Sequence, residues 1–284
     1  MAFRKLVSQL PNFVANGSIP RGTRVRSFAS EGAASPVYVV FGAGGAVGSD
    51  LVGRLAKQQG AKIVASDVDQ GDLESLGSSA EIMPANTEDE AAVKSILDKA
   101  AEKFGKVDGV ACCVGSSLIK PAHLTHAQEF HDAIAKNTYS AFNILKASVG
   151  PMMKSGGGSI VFNGSAIAHK GYANHDVMAA AKGAIAGMTL SAASTYSPHN
   201  IRVNMVVPGL TEAKMTKRLA ESEEARDASE RMIALGRLGG AHDVARALEF
   251  LLHPDSSYIT GTFLHVDGGL GNIAPAEAGD SKQA

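Results

Sequence analysis

Val37-Tyr-Val-Val-Phe41, running straight into Gly42-Ala-Gly-Gly-Ala-Val-Gly48, decides the fold. The apolar run of β-branched and aromatic residues predicts a strand, and helical patterning from about 46 to 59, stopped by Gly60, follows the glycines. At such a junction backbone N–H groups and the positive end of the helix dipole hold a pyrophosphate, and glycine lets phosphate approach the backbone. Lys62-Ile-Val-Ala-Ser66 predicts a second strand, and Asp67 ends it nineteen residues after Gly48, where a carboxylate accepts from the hydroxyls of an adenosine ribose. Gly42, Gly44, Gly45, Ala46, Val47, Gly48 and Asp67 are therefore read as dinucleotide-binding residues. The same carboxylate repels a 2′-phosphate by on the order of 4 kcal/mol per charge pair at 4 Å. No Arg or Lys stands at 43 to 45 or at 68 to compensate, so NAD is expected rather than NADP. The plain alternative is a glycine turn followed by an N-cap or turn aspartate.

Outward from this stretch, strand and helix keep alternating. Further strands are expected at 81 to 83, 109 to 114, 159 to 163, 201 to 207 and 262 to 266. Helices are expected at 88 to 104, 126 to 154 with a break near 137, 176 to 197 and 241 to 252. The simplest arrangement is a Rossmann-type, doubly wound α/β fold with a mostly parallel sheet of about seven strands, and its ligand lies at the strands' carboxyl ends. A chain of 284 residues, 45% hydrophobic with 31 glycines, suits one such domain, placed at 36 to 270.

The first thirty residues carry Arg4, Lys5, Arg21, Arg24 and Arg26 and no acid, so the remainder has 22 basic against 28 acidic residues and a formal charge of −6. Phe3, Leu6, Val7 and Leu10 share one helical face until Pro11 stops it. This pattern predicts an organelle transit peptide over 1 to 28, with Arg26-Ser-Phe28 before Ala29-Ser30 favouring the mitochondrial matrix over the chloroplast; a retained basic tail is the plain alternative. A Gly/Ala/Ser linker at 29 to 35 and a flexible tail at 271 to 284 complete the organisation. The acidic balance gives no support to nucleic-acid binding, and no unbroken apolar run reaches the ~18 residues of a membrane span. Cys112 and Cys113 are the only cysteines; neighbours on a strand point to opposite faces, which disfavours a shared metal, and two cysteines are too few for a disulfide framework.

Ser165, Met178 and Lys182 keep spacings of thirteen and four. Together with Gly158-Ser-Ile-Val-Phe-Asn-Gly-Ser165 and Ile201-Arg-Val-Asn-Met-Val-Val-Pro-Gly209, they resemble the short-chain dehydrogenase/reductase family over about 36 to 270. That resemblance implies that Ser165 orients the substrate oxygen, that Lys182 binds the nicotinamide ribose, and that Asn137 holds a water linking the lysine to solvent. The family's proton donor is a Tyr at the place of Met178, whose thioether has no proton to give. The resemblance further assigns Asn86 to the adenine, Gly115 to the cofactor wall, and Pro208, Gly209 and Thr211 to the nicotinamide side. Departures are Phe41 for Thr, Ala46 for Gly, Cys112-Cys113 for two Asn, Asn86 for Asp and Ala213 for Thr. The C-terminal Tyr258-Ile-Thr-Gly-Thr-Phe-Leu-His-Val-Asp-Gly-Gly269 implies subunit contacts, hence a homotetramer or dimer.

A substitute acid is sought close by. His175, three residues before Met178, shares its helical face if the helix already includes it, and Tyr172 and His169 stand in the preceding loop; a cap or solvated side chain is the plain reading of each. His123, His126 and Glu129 lack a convincing ligand spacing, so no metal is assigned. Residues 210 to 235, with Leu210, Met215, Leu219 and Met232, are expected to form a mobile lid or two surface helices. Two functions remain open: an NAD-dependent oxidoreductase acting on a small-molecule hydroxyl/carbonyl pair, or a catalytically weak or inert NAD-binding structural or sensor subunit of a mitochondrial assembly.

Overall fold

The computed structural model describes residues 35–213, 216 and 222–275. The expected transit peptide, nearly all of the linker, Met215, Leu219 and residues 276 to 284 of the tail lie outside the described residues. Seven strands form one wholly parallel sheet: β1 (Val37–Phe41), β2 (Lys62–Ser66), β3 (Glu81–Ile82), β4 (Gly109–Cys112), β5 (Gly158–Asn163), β6 (Ile201–Pro208) and β7 (Phe263–Val266), in spatial order β3-β2-β1-β4-β5-β6-β7. The Rossmann-type expectation holds, with parallel pairing throughout instead of most of the sheet.

Strand alternation sorts side chains to two faces. Val39, Phe41, Val110, Cys112, Ile160, Phe162, Val203 and Met205 pack with buried residues of α3 (Glu90–Phe104), α5 (Ser140–Ser155) and α6 (Asp176–Tyr196). Tyr38, Val40, Ala111, Val161 and Val206 face α1 (Ala46–Leu55) and α8 (Ala241–Leu252). A parallel sheet covered on both faces needs strands that are apolar on both sides, which explains why β1 is buried at all five positions. The two cysteines do point apart: Cys112 joins the first cluster and Cys113 packs against the second.

Element boundaries differ from expectation where local chemistry ends a helix early. The first helix stops at Leu55, before Gly60, and a short helix α2 (Gln70–Glu74) follows β2. The long helix near 137 is split into α4 (Ala127–Ile134), a π-helical turn at Ala135–Tyr139, and α5. Asn137 sits in that turn with no exposed surface. Helix α3 is capped by Asp89, which accepts from the Ala91 and Ala92 amides at 2.9 and 3.2 Å, and Gly105 at φ +79° ends it. The segment Asp176–His199, which includes α6, is long and apolar enough to cross a membrane by length and composition, but half of its apolar window is buried within the fold. From the expected lid, the described part includes α7 (Glu223–Arg231), a surface helix capped by Ser222. At the other end of the expected tail, Gly271 still donates to Asp267 and Ile273 to the Gly269 carbonyl.

Candidate active site

The chain leaves β1 to pair β2 on one side, then crosses back so that β4 pairs β1 on the other. The carboxyl ends of β1 and β4 form the topological switch point, and sheets of this kind bind their ligands in the crevice at such a point. Gly42 turns there with φ +78°, a conformation costly for other residues, and its amide and that of Ala43 donate to the Ser66 carbonyl at 2.8 and 3.0 Å. A Cβ on Gly48 would lie 2.1 Å from the Gly42 carbonyl oxygen, so the start of α1 packs against the turn only because position 48 is bare. Gly45 caps α1 without a side-chain bond, and no acid stands in the first turn. The first-turn amides that a helix leaves unsatisfied are thus uncovered by any side-chain cap and suited to an anion.

Asp67 reaches this loop from the end of β2. Its Oδ2 accepts from the Gly44 amide at 3.0 Å, and its Oδ1 accepts from the Val68 amide at 2.7 Å. A Cβ on Gly44 would lie 2.7 Å from Asp72 Cβ and 3.2 Å from Asp67 Oδ2, so glycine is needed for the close approach. The cradle, the uncapped helix start and the carboxylate fit the diphosphate and ribose of a dinucleotide. Asn86 comes to the same side because the Ala85 amide donates to the Asp67 carbonyl at 3.0 Å. Its own Oδ1 accepts from the Glu88 amide at 3.0 Å, so part of that amide serves the local turn.

Across the crevice, Gly115 lies against both Asn137 and Lys182: a Cβ there would be 2.9 Å from Asn137 Oδ1 and 3.1 Å from Lys182 Nζ. The Lys182 ammonium is buried and donates to the Asn163 carbonyl at 3.3 Å. Burial pushes its pKa below the ordinary lysine value. Burial also pushes the Cys112 thiol up to about 11 and the Cys113 thiol up as well, so both are neutral at pH 7 and leave the lysine charge uncompensated. Thr138 ties the π-helical turn to α6 by donating to the Ala181 carbonyl at 2.9 Å, one residue before Lys182. Ser165 caps a 3-10 turn at Ala166–Ala168, and its Oγ accepts from the Ile167 amide at 3.4 Å.

Met178 is 3% exposed and packs with Ala133, Val177, Leu118 and Ile167. His175 is the N-cap residue directly before α6, which begins at Asp176, and its carbonyl accepts from the Ala179 amide at 2.7 Å. Its Nδ1 lies 2.7 Å from the Ala173 carbonyl. His169 stacks towards β7, 4.8 Å from the Phe263 ring and 5.5 Å from the His265 ring, and Tyr172 OH donates to the Leu270 carbonyl at 3.5 Å.

On the far rim, Pro208 ends β6, and Gly209 donates to the Val266 carbonyl at 3.1 Å; a Cβ there would be 2.8 Å from Asp267 Cα. The Thr211 hydroxyl donates to the Gly209 carbonyl at 3.3 Å, within its own turn. Glu129 is spent on Lys120, at 2.7 Å, and on the His126 amide, at 2.8 Å. Among the described residues no group of three His, Cys, Asp or Glu side chains could hold a metal ion. Two site residues went unread in the sequence. Asn163 has a buried Oδ1 without a hydrogen-bond partner among the described residues, and Ser116 bonds Asn137; the sole local signal for the latter was a polar residue directly after Gly115.

Comparison with known proteins establishes the family. Residues 46–271 match the family described as enoyl-(acyl carrier protein) reductase. The chain is 32% identical over 238 residues to 3-oxoacyl-(acyl-carrier-protein) reductase FabG of Escherichia coli K12, covering 82% of this chain and 96% of the relative. It is 33% identical over 243 residues to the protein of the same name from Thermotoga maritima, covering 82% and 97%. Among solved structures, levodione reductase superposes with a TM-score of 0.77 at 29% identity, covering 83% of this chain and 97% of that one. A short-chain type dehydrogenase/reductase from Mycobacterium ulcerans gives 0.78 at 26% identity, covering 84% and 91%. With a family match across most of its length and relatives above 30% identity spanning nearly their whole chains, this protein belongs to the short-chain dehydrogenase/reductase family and is an oxidoreductase of that type.

Proposed function

We propose that this chain is an NAD(H)-dependent reductase of a small-molecule carbonyl, or dehydrogenase of the matching hydroxyl, working without a phenol at position 178. The observation that carries the reading is the facing pair of half-sites: Asp67 bonded to the Gly44 amide on one wall, and Lys182 with Asn137 against Gly115 on the other. Bound there, the nicotinamide supplies or takes up the hydride. Amides of the Gly42 to Gly48 loop bind the diphosphate, Asp67 accepts from the adenosine ribose, Asn86 borders the adenine, and Lys182 binds the second ribose. Pro208, Gly209 and Thr211 border the nicotinamide side. Ser165 orients the substrate oxygen.

The proton is the difficult part. A positioned acid or base contributes typically ~10²–10⁴ in rate. Met178 has no proton to give, and His175 Nδ1 lies at the Ala173 carbonyl, so the Lys182 ammonium, against Gly115, is taken as the source. Burial makes it a stronger acid than an ordinary lysine, which favours release to an oxygen that has just gained charge. Substrates are taken to be 3-oxoacyl thioesters or related ketones, in keeping with the names of the curated relatives.

A second reading rests on Met178 itself. A residue packed at 3% exposure in an apolar cluster fills the phenol's position, as in an NAD-binding structural or sensor subunit of a mitochondrial assembly. The N-terminal composition supports the mitochondrial matrix, with chloroplast as the alternative, and the family supports a homotetramer or dimer. NADH turnover against ketones and 3-oxoacyl thioesters, measured for the native chain, Met178→Tyr and His175→Ala, separates the readings. Native turnover retained in His175→Ala supports the lysine route; turnover that appears only in Met178→Tyr supports the inert subunit.

A further inference from the structure

Ser116 stands directly after Gly115, in the loop leaving β4 at the switch-point crevice. Its environment fixes the direction of every hydrogen bond around it. Asn137 Nδ2 lies 2.8 Å from the Ala133 carbonyl, which only accepts, and Asn137 Oδ1 lies 3.2 Å from the Ser116 amide, which only donates. These two backbone groups set the amide orientation without appeal to any side chain. The second Nδ2 hydrogen is then directed at Ser116 Oγ, 2.9 Å away, so the hydroxyl must accept there. An accepting hydroxyl keeps its own hydrogen for another partner. Among the described residues that hydrogen has no acceptor, and Ser116 is half-buried, not sealed. The Asn137 amide is fully buried, so the pair is rigid, and Asn137 Oδ1 and Lys182 Nζ meet the same face of Gly115.

We propose that Ser116 is a further catalytic residue of this centre, a preorganised hydroxyl donor to the substrate oxygen that compensates in part for the missing phenol. This rests on the oxidoreductase reading above. As hydride reaches the carbonyl carbon, the C=O π pair moves onto oxygen; the Ser116 O–H stabilises that charge without giving up its proton, and the proton that completes the alcohol comes from Lys182, which is reloaded from solvent. Donation from Asn137 polarises the serine hydroxyl, making it a better donor than an isolated one. A single such donor contributes about 10²–10³ in kcat.

The test compares native protein, Ser116→Ala and Ser116→Thr in NADH-dependent reduction of a 3-oxoacyl thioester, with NADH affinity followed by fluorescence and with the Asn137 side-chain amide followed by 15N NMR in the unliganded protein. The expected result is a fall in kcat of about 10²-fold in Ser116→Ala, unchanged NADH affinity, recovery in Ser116→Thr, and loss of one Asn137 amide-proton bond in the alanine variant alone. Equal kcat in native and Ser116→Ala protein overturns this role while leaving the oxidoreductase reading intact. NADH binding without any native turnover overturns both the role and the enzyme reading, and absent NADH binding removes the cofactor reading as well. A fall in kcat that Ser116→Thr does not restore, with the Asn137 signals displaced in both variants, assigns Ser116 to packing and also overturns the proposal.

Discussion

Gly48→Ala is the sharpest perturbation of the nucleotide cradle. The added methyl carbon would sit 2.1 Å from the Gly42 carbonyl oxygen and 2.8 Å from Ala43 Cα, against backbone that no side-chain rotation can clear. Ordinary contact begins at 3.4 Å, so α1 must retreat from the turn by an ångström or more. Overpacking of this kind costs about 1–3 kcal/mol, and in a domain of this size each kcal/mol lowers Tm by roughly 2–4 °C. The retreat also pulls the first-turn amides off the diphosphate; losing one charge-assisted bond, about 1.5–3 kcal/mol, weakens NADH binding by roughly 10- to 100-fold. Gly53→Ala is the internal control, because it lies in the same helix with nothing within 4 Å of its added carbon. Helix propensity makes that change stabilising by about 0.5–1 kcal/mol. Fluorescence titration with NADH and thermal unfolding of both variants supply the readout. If Gly48→Ala binds NADH and melts like the native protein, the diphosphate does not sit in this cradle and the argument from close approach is wrong.

Asp67→Ser removes the carboxylate at the ribose edge along with its bond to the Gly44 amide. The ratio of NADPH to NADH affinity should rise by at least tenfold, and an unchanged ratio would show that the acid does not select between them. Lys182→Met addresses the buried ammonium. Its native pKa is depressed, so the unfolded chain binds more protons than the folded one between the native value and the unfolded value of about 10.4. The burial penalty is therefore fully present below the native pKa and disappears as pH rises through that window. Lys182→Met should be more stable than the native protein at pH 7 and lose that advantage by pH 10; urea unfolding at both pH values checks the sign, and a pH-independent difference contradicts it.

Turn glycines, strand runs and the acid at 67 were legible because they are local. Val37 to Gly48 must be a strand, a turn and a helix for reasons of propensity and backbone freedom, and period-two and period-3.6 patterns carried the remaining elements to within a few residues. Ser165 and Lys182 were singled out by the family resemblance that their spacing around Met178 carries. The break near 137 was visible, but its form, a π-helical turn that buries Asn137 completely, depended on what α6 and the β4 loop bring against it. His175 shows the opposite case: three residues from Met178 in sequence, it stands just outside a helix boundary that a single residue decides.

What the chain's order of residues determined is the layered parallel sheet and the glycine turn at its switch point, since both follow from short-range patterns repeated along the backbone. Only tertiary structure decided which polar groups meet there. Ser116 and Asn137 are 21 residues apart, Asn163 and Lys182 19, and Gly44 and Asp67 23, and each pair is joined by crossovers that close on the sheet only when both of its faces are packed. The direction of a hydrogen bond and the charge state of a buried lysine depend on those long-range neighbours, and no local pattern in the sequence encodes them.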